Sequence, residues 1–353
     1  MTRLSAWAVQ LLTAGPPLRG GLAPFIAAPA REILAGNHGY DPETTAGTSV
    51  TRYRGNANGN SSPTTELATY NVTALAKDTA GNILVASDSD QAIHVYAPGA
   101  IGRAAPIRTI SGSVNTGVQQ PTGIALEAAG NIFVAEQGGS NLRSAILKFS
   151  PESDGDVAPV ARIPSMNPPS SDAPSNTQLR RASGVAVDPS GRIYVADPLG
   201  NSLLIFDPGS DGDVAPAEII SYGLHQPQQV ALGPDQSVFV SNYMSTDSVV
   251  VYSPAPTSSS APVRTISSPD LSAPFGMAVD GLGQLYVADS TLDSVVVFAS
   301  GASGSSTPIR IIKGPNTRLK APMAVILTIG PALVFPDWSV PLFARIRQLI
   351  GVR

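Results

Sequence analysis

Histidines, cysteines and clustered carboxylates build most catalytic and metal sites, and in this 353-residue chain they are few and dispersed. There is no cysteine, so thiolate metal sites and disulfides are excluded. The three histidines, His38, His94 and His225, fall in an N-terminal leader, on a strand and in a loop, and are not expected to converge on zinc. Serines are abundant, but no GxSxG elbow, phosphate-binding loop or dinucleotide fingerprint accompanies them, so a Ser-His-Asp triad has almost no material. Two acidic patterns carry more chemistry. SDGDVAP occurs at 153–159 and 210–216, and aspartates so spaced suit calcium. Related segments place SSSAP or GSSTP there instead, so the pattern reads as an Asp-Gly hairpin turn. Glu136, Asp197, Asn242 and Asp289 end similar apolar segments and could form a cation-binding ring of oxygens. The competing reading makes each a cap on its own following turn, through backbone N–H groups, because the motif recurs as a unit.

Those segments are internal repeats, which take precedence over local structure. One unit is a strand, a turn and a second strand, as in GIALEAAGNIFVAE at 123–136, GVAVDPSGRIYVAD at 184–197 and GMAVDGLGQLYVAD at 276–289. Looser copies lie at 74–87 and 229–242, and a degenerate one, MAVILTIGPALVFP, at 323–336. The second unit is a strand ending in Tyr or Phe, a polar loop, and a Pro ten residues on. Its copies run Tyr53 to Pro63, Tyr96 to Pro106, Phe149 to Pro159, Phe206 to Pro216, Tyr252 to Pro262 and Phe298 to Pro308. With strands a and b in the first unit and c and d in the second, the chain reads cd, then abcd repeated, then ab. Half a blade stands at each end. The sequence therefore predicts an all-β fold, a six-bladed β-propeller closed by N-terminal cd strands pairing with C-terminal ab strands, which removes the open edges of a linear array. Alanines 76, 125, 186, 231 and 278 share one position on strand a, small enough for six strands converging on an axis.

Composition agrees. With 33 Gly, 32 Pro and 14% charged residues the chain suits short strands joined by tight turns. A net charge of −4 gives no electrostatic footprint for nucleic acid. Residues 1–48 form a leader. Within it Arg3, an apolar stretch at 4–14 and small residues at 28–30 resemble a secretory signal, interrupted by Pro16, Pro17 and Arg19, and a disordered segment is the alternative. No apolar run has the length of a membrane helix; the longest, at 321–335, contains Pro322 and Pro331 and reads as buried strands. The propeller is expected over 49–339. Residues 340–353 carry Leu342, Phe343, Ile346, Leu349 and Ile350 at helical spacing with Arg345, Arg347 and Arg353 elsewhere, an amphipathic helix expected to dock on the propeller rather than on a membrane surface.

The pattern VAVDPSGRIYVADPLGNSLLIF at 185–206, echoed at 277–298 and 124–149, resembles NHL-type and related six-bladed propellers, a superfamily that includes gluconolactonase and regucalcin-like lactonases. The resemblance spans 49–336 and implies fold more than activity. In lactonase-like members a divalent ion at the channel mouth is held partly by Asn or Asp just before the glycine of strand a. Here those positions carry Thr73, Thr122, Ser183, Gln228, Phe275 and Pro322, and none is a carboxylate. No cofactor is therefore expected.

What remains is a surface. The d-to-a and b-to-c loops share one face, rich in Ser, Asn, Gln and Pro, with Arg181, Tyr222, Tyr243 and Phe275 among them and Thr122, Ser183 and Gln228 at the channel mouth. The expectation is a non-enzymatic binding or scaffold module, extracellular or periplasmic, recognising a protein or carbohydrate through this face. The alternative is a lactonase-like hydrolase or lyase at the mouth of the channel.

Overall fold

The computed structural model describes residues 30–39, 48–112, 114–138, 144–165, 175–243 and 247–329. They form six sheets around an axis, each with four antiparallel strands, and one sheet gains a short fifth strand, Gly304–Ser305, in parallel pairing. In blade 2, strands a to d are Ala74–Lys77, Ile83–Ser87, Ala92–Tyr96 and Arg108–Ser111; in blade 3, Pro121–Leu126, Ile132–Glu136, Ala145–Phe149 and Ala161–Pro164. Blade 4 comprises Gly184–Val187, Ile193–Asp197, Ser202–Phe206 and Glu218–Ile220. Blade 5 comprises Pro227–Leu232, Val238–Asn242, Ser248–Tyr252 and Arg264–Ser267, and blade 6 Pro274–Val279, Leu285–Asp289, Ser294–Phe298 and Arg310–Lys313.

Blade 1 closes the ring. Its strand a is Pro322–Ile329, and its strands c and d are Ser49–Arg54 and Thr65–Ala68. The expected sharing of one sheet by 49–67 and the C-terminal repeat holds, but strand b comes from elsewhere. Ala30–Asn37, inside the segment read as a leader, pairs antiparallel with both neighbours, Leu34 standing opposite Ile326 on one side and Arg52 on the other. Closure is thus three strands from the N-terminal side and one from the C-terminal side. The reason is legible in hindsight: Ile33-Leu34-Ala35-Gly36-Asn37 matches Ile193-Tyr194-Val195-Ala196-Asp197 in residue character, and Ile33, Leu34, Ala35 and Asn37 are all buried. The expected second strand at 331–336, the helix at 340–353 and the signal-like residues 1–29 lie outside the described residues. One register also changes. Ala35 pairs with Val325 as Val195 pairs with Val185, so Met323, not Pro322, is the counterpart of Ser183. A slip of one residue exchanges the faces of a strand, and the degenerate repeat lacks the glycine that opens strand a at Gly123, Gly184 and Gly276.

Within blades, the a-to-b turns behave as their residues require. Asp188 Oδ1 accepts N–H bonds from Ser190 (2.8 Å) and Arg192 (3.0 Å), and Gly191 follows at φ 87°. Gly81, Gly130 and Gly283 take the same left-handed conformation. In blade 5 that position is Gln236, at φ 64°, with its side-chain Oε1 buried and unpartnered. A side chain in this region costs about 1 kcal/mol. Gln236→Gly is therefore expected to stabilise the protein by roughly 0.5–1 kcal/mol. A lower midpoint in denaturant for the variant would count against this account of the turn.

Between blades, small meets large. Ala74, Ala76 and Ala86 of blade 2 face Ile124, Ile132 and Val134 of blade 3 in one buried cluster, with the strand-c terminus Phe149. The alanine row on strand a therefore faces the next blade. The aromatic ending each strand c is buried in every blade: Tyr53, Tyr96, Phe149, Phe206, Tyr252 and Phe298. Tyr252 donates its hydroxyl to the Tyr222 carbonyl at 2.6 Å, and Tyr53 donates to that of Thr317.

Candidate functional site

Each strand a begins at the face carrying the d-to-a loops, and its first residues define the channel mouth. Their hydroxyls do not point at a common centre; they join one blade to the next. Thr73 Oγ1 donates to the Pro121 carbonyl (2.6 Å), Thr122 Oγ1 to that of Ser183 (2.9 Å), and Ser183 Oγ to Gln228 Oε1 (3.2 Å). Ser241 Oγ continues the girdle to the Phe275 carbonyl (3.0 Å). Of the expected mouth residues, Ser183 and Gln228 are buried, and Thr122 is half-buried. Sequence reasoning missed Gln229. Its Nε2 donates 2.7 Å to the Thr122 carbonyl, passing from blade 5 to blade 3. The strands can approach this closely because glycine stands here: a Cβ on Gly184 would lie 2.6 Å from Gln229 Cα, and one on Gly276 the same distance from Ala324 Cα.

The second expected set, Glu136, Asp197, Asn242 and Asp289, is buried. Its oxygens face backbone N–H groups. Glu136 accepts from Gln119 (2.9 Å), Gln120 (2.8 Å) and Gly138 (2.9 Å), and Asp197 from Arg180 (2.7 Å), Arg181 (3.1 Å) and Gly200 (2.9 Å). Asp289 accepts from Ser272 (2.7 Å), Ala273 (3.0 Å) and Leu292 (2.9 Å). Asn242 accepts from His225 N–H at 3.0 Å and donates to the Gly223 carbonyl at 2.9 Å. The caps thus reach further than their own b-to-c turn: each ties the preceding d-to-a loop to the end of strand b. Asn37, unassigned from sequence, does the same in blade 1, accepting the Lys320 N–H at 3.0 Å. Burial raises the pKa of Glu136 and of Asp197 above the ordinary carboxylate range, although the N–H bonds pull the other way.

The SDGD segments are also more than hairpin turns. Asp154 accepts the Thr109 N–H (2.8 Å), and Gly155 N–H donates to the Thr109 carbonyl (2.7 Å), on the outer strand of the preceding blade. Asp156 holds Asn115 and Thr116 N–H at 2.9 and 3.2 Å. Asp211, Gly212 and Asp213 repeat these contacts on Arg162, Asn176 and Thr177. In blade 1 the same work falls to Asn58-Gly59-Asn60, which grips Ile311 and Asn316 of the blade 6 side. These clasps cover the outer strand edges, which would otherwise expose unpaired backbone.

Each of two histidines pairs with its own carboxylate. His38 Nε2 lies 3.1 Å from Asp88 Oδ2, and His94 Nε2 lies 2.6 Å from Asp90 Oδ2, so Asp88 and Asp90 draw both to one b-to-c turn. Burial would raise Asp90, but the hydrogen bonds from His94 and Ser87 outweigh it and hold its pKa down. His94 also stacks on Tyr70 with centroids 5.2 Å apart. His225 is an exposed loop residue, as expected. No group of three or more His, Cys, Asp or Glu side chains is arranged to hold a metal ion among the described residues.

The remaining expected residues lie on the loop face. Tyr222 is 68% exposed on the loop between blades 4 and 5. Tyr243, after strand b of blade 5, packs against Phe275 at the start of blade 6 with ring centroids 5.6 Å apart. Arg181 is half-buried and anchored through its backbone to Asp197.

Comparison with known proteins agrees with this architecture. A family model described as NHL repeat matches residues 179–205, the end of the d-to-a loop and the first three strands of blade 4. No curated protein sequence matches the chain. Among solved structures, a protein of unknown function from Bacteroides caccae is 12% identical with a TM-score of 0.59, covering 84% of this chain and 98% of its own. The periplasmic gluconolactonase of Pseudomonas aeruginosa is 14% identical with a TM-score of 0.58, over 85% and 99%. A chain of the nidogen/laminin complex is 16% identical with a TM-score of 0.52, over 83% and 96%. At such identities the likeness is one of fold. The chain is thus a six-bladed β-propeller whose fourth blade is similar to the NHL repeat.

Proposed function

We propose that the protein is a non-enzymatic binding module, working outside the cytoplasm, that recognises a protein or carbohydrate through the loop face of blades 4 to 6. The observation that carries this reading is the allocation of polar groups at the channel mouth. Positions at which lactonase-like propellers are expected to hold an ion are occupied by Thr73, Thr122, Ser183 and Gln228, whose side chains are spent on bonds between blades or within their own loop. The acids closest in sequence to a cation-binding pattern are spent on backbone N–H groups. The exposed ring of Tyr222 and the tilted Tyr243–Phe275 pair remain on a rigid scaffold, and such aromatic groups dominate recognition surfaces. The signal-like pattern at 1–30 supports placement outside the cytoplasm.

The test is a screen of the immobilised protein against glycan and extracellular-protein panels, followed by Tyr222→Ala and Tyr243→Ala. Each is expected to weaken the bound ligand about tenfold or more with little change in melting temperature, and calcium or a chelator is expected to alter neither. Calcium-dependent lactone hydrolysis, or binding indifferent to both substitutions, would overturn the proposal.

A further inference from the structure

The channel below the girdle has a chemistry that neither the loop face nor the fold accounts for. Together with its open mouth it holds about 400 Å³, within the range of small-molecule sites. Its lining is aliphatic over most of its length. One level is completed by Leu126, Val187, Leu232, Val279 and Leu327, all half-buried, together with a single charged residue, Lys77. Two residues up the same strands another apolar level follows, including Leu75, Ile124 and Met277. Above that the glycine row draws neighbouring strands together, and Gln229 reaches from blade 5 to blade 3. The channel is therefore narrowed at the loop face.

Lys77 is exposed and forms no ion pair among the described residues. The acids nearest along the neighbouring strands are already engaged. Asp78 accepts from Asn82, Glu127 pairs with Lys148, and Asp188 and Asp280 accept from their own turns and from Tyr194 and Tyr286. An apolar well with one uncommitted cation at its rim complements an aliphatic chain with one anionic end. The chain would displace water from apolar walls, and the head group would meet the ammonium.

We propose that the central channel binds the aliphatic chain of a carboxylate amphiphile, entered from the a-to-b face, with Lys77 on the carboxylate. The test is calorimetric titration of the full chain with dodecanoate, dodecanol and dodecyltrimethylammonium, each below its micellar concentration. Dodecanoate is expected to bind once per chain, about tenfold or more tighter than the alcohol, and the cation not at all. Lys77→Gln should bring dodecanoate down to the affinity of dodecanol. Leu232→Trp, which fills the channel, should abolish binding of both; Val187→Phe serves if the first variant does not fold, and thermal melting establishes that each does. Absence of saturable binding by the folded wild-type chain overturns the proposal. So does binding that survives a filled channel, or a preference for the carboxylate that persists in Lys77→Gln.

Discussion

A chain lacking residues 1–48 will fail to show a cooperative thermal transition, although every strand from Ser49 onward is retained. The deletion removes strand b of the closing blade, whose neighbours Ser49–Arg54 and Pro322–Ile329 each pair with it along most of their length. Without it the last strand has no partner on that side, and the faces of blades 2 and 6 that pack on Leu34, and on Ile33 and Ala35, meet water. The point variant Leu34→Asp tests the same idea at one position. Its side chain is 1% exposed between blades 1 and 2, so a carboxylate there would be buried without a partner. Truncation to alanine alone costs about 2–5 kcal/mol at such a site, and the charge adds to that. Circular dichroism and melting curves read both. Normal folding of the truncated chain would mean that residues beyond 330 supply strand b, and the closure described above would be wrong.

The second large effect belongs to the buried carboxylate caps. Asp289→Ala strips acceptors from three N–H groups and should cost about 3–5 kcal/mol, as should Asp197→Ala. Asn retains the shape and one acceptor oxygen, and should recover part of the loss. The pH dependence separates a buried cap from a solvated one. Because burial raises the folded pKa of Asp197 and of Glu136 above the unfolded values, the folded state binds more protons in between. Their contribution is fully present below the unfolded pKa, near 3.9 to 4.3, and is lost as pH rises through the folded pKa. Asp197→Asn should therefore flatten the stability profile just above pH 4. An unchanged slope in denaturant melts taken across that window would contradict the burial of this group.

Most of the architecture was legible because each blade repeats the same physical solution. The Asp-x-x-Gly turn, the aromatic ending strand c and the proline preceding strand d recur at fixed spacing, and each has a local cause. What escaped was whatever depended on neighbours. Ile33-Leu34-Ala35-Gly36-Asn37 lacks the upstream strand and turn that flag other b strands, since its hairpin partner lies at the opposite end of the chain. The aspartates of SDGD looked self-contained because sequence spacing cannot reveal that their acceptors reach the preceding blade. For Thr122, Ser183 and Gln228, only geometry reveals that their polar atoms are already used between blades or within their own loop.

The three-plus-one closure also orders events at the ribosome. Strands b, c and d of the seam precede every other described strand, whereas the strand that completes them follows all of them. Until it emerges, the nascent chain must carry an unfinished sheet and two uncovered blade faces. Assembly of the ring therefore joins segments separated by most of the propeller's own sequence, and is slow for the entropic reason that limits all such pairings.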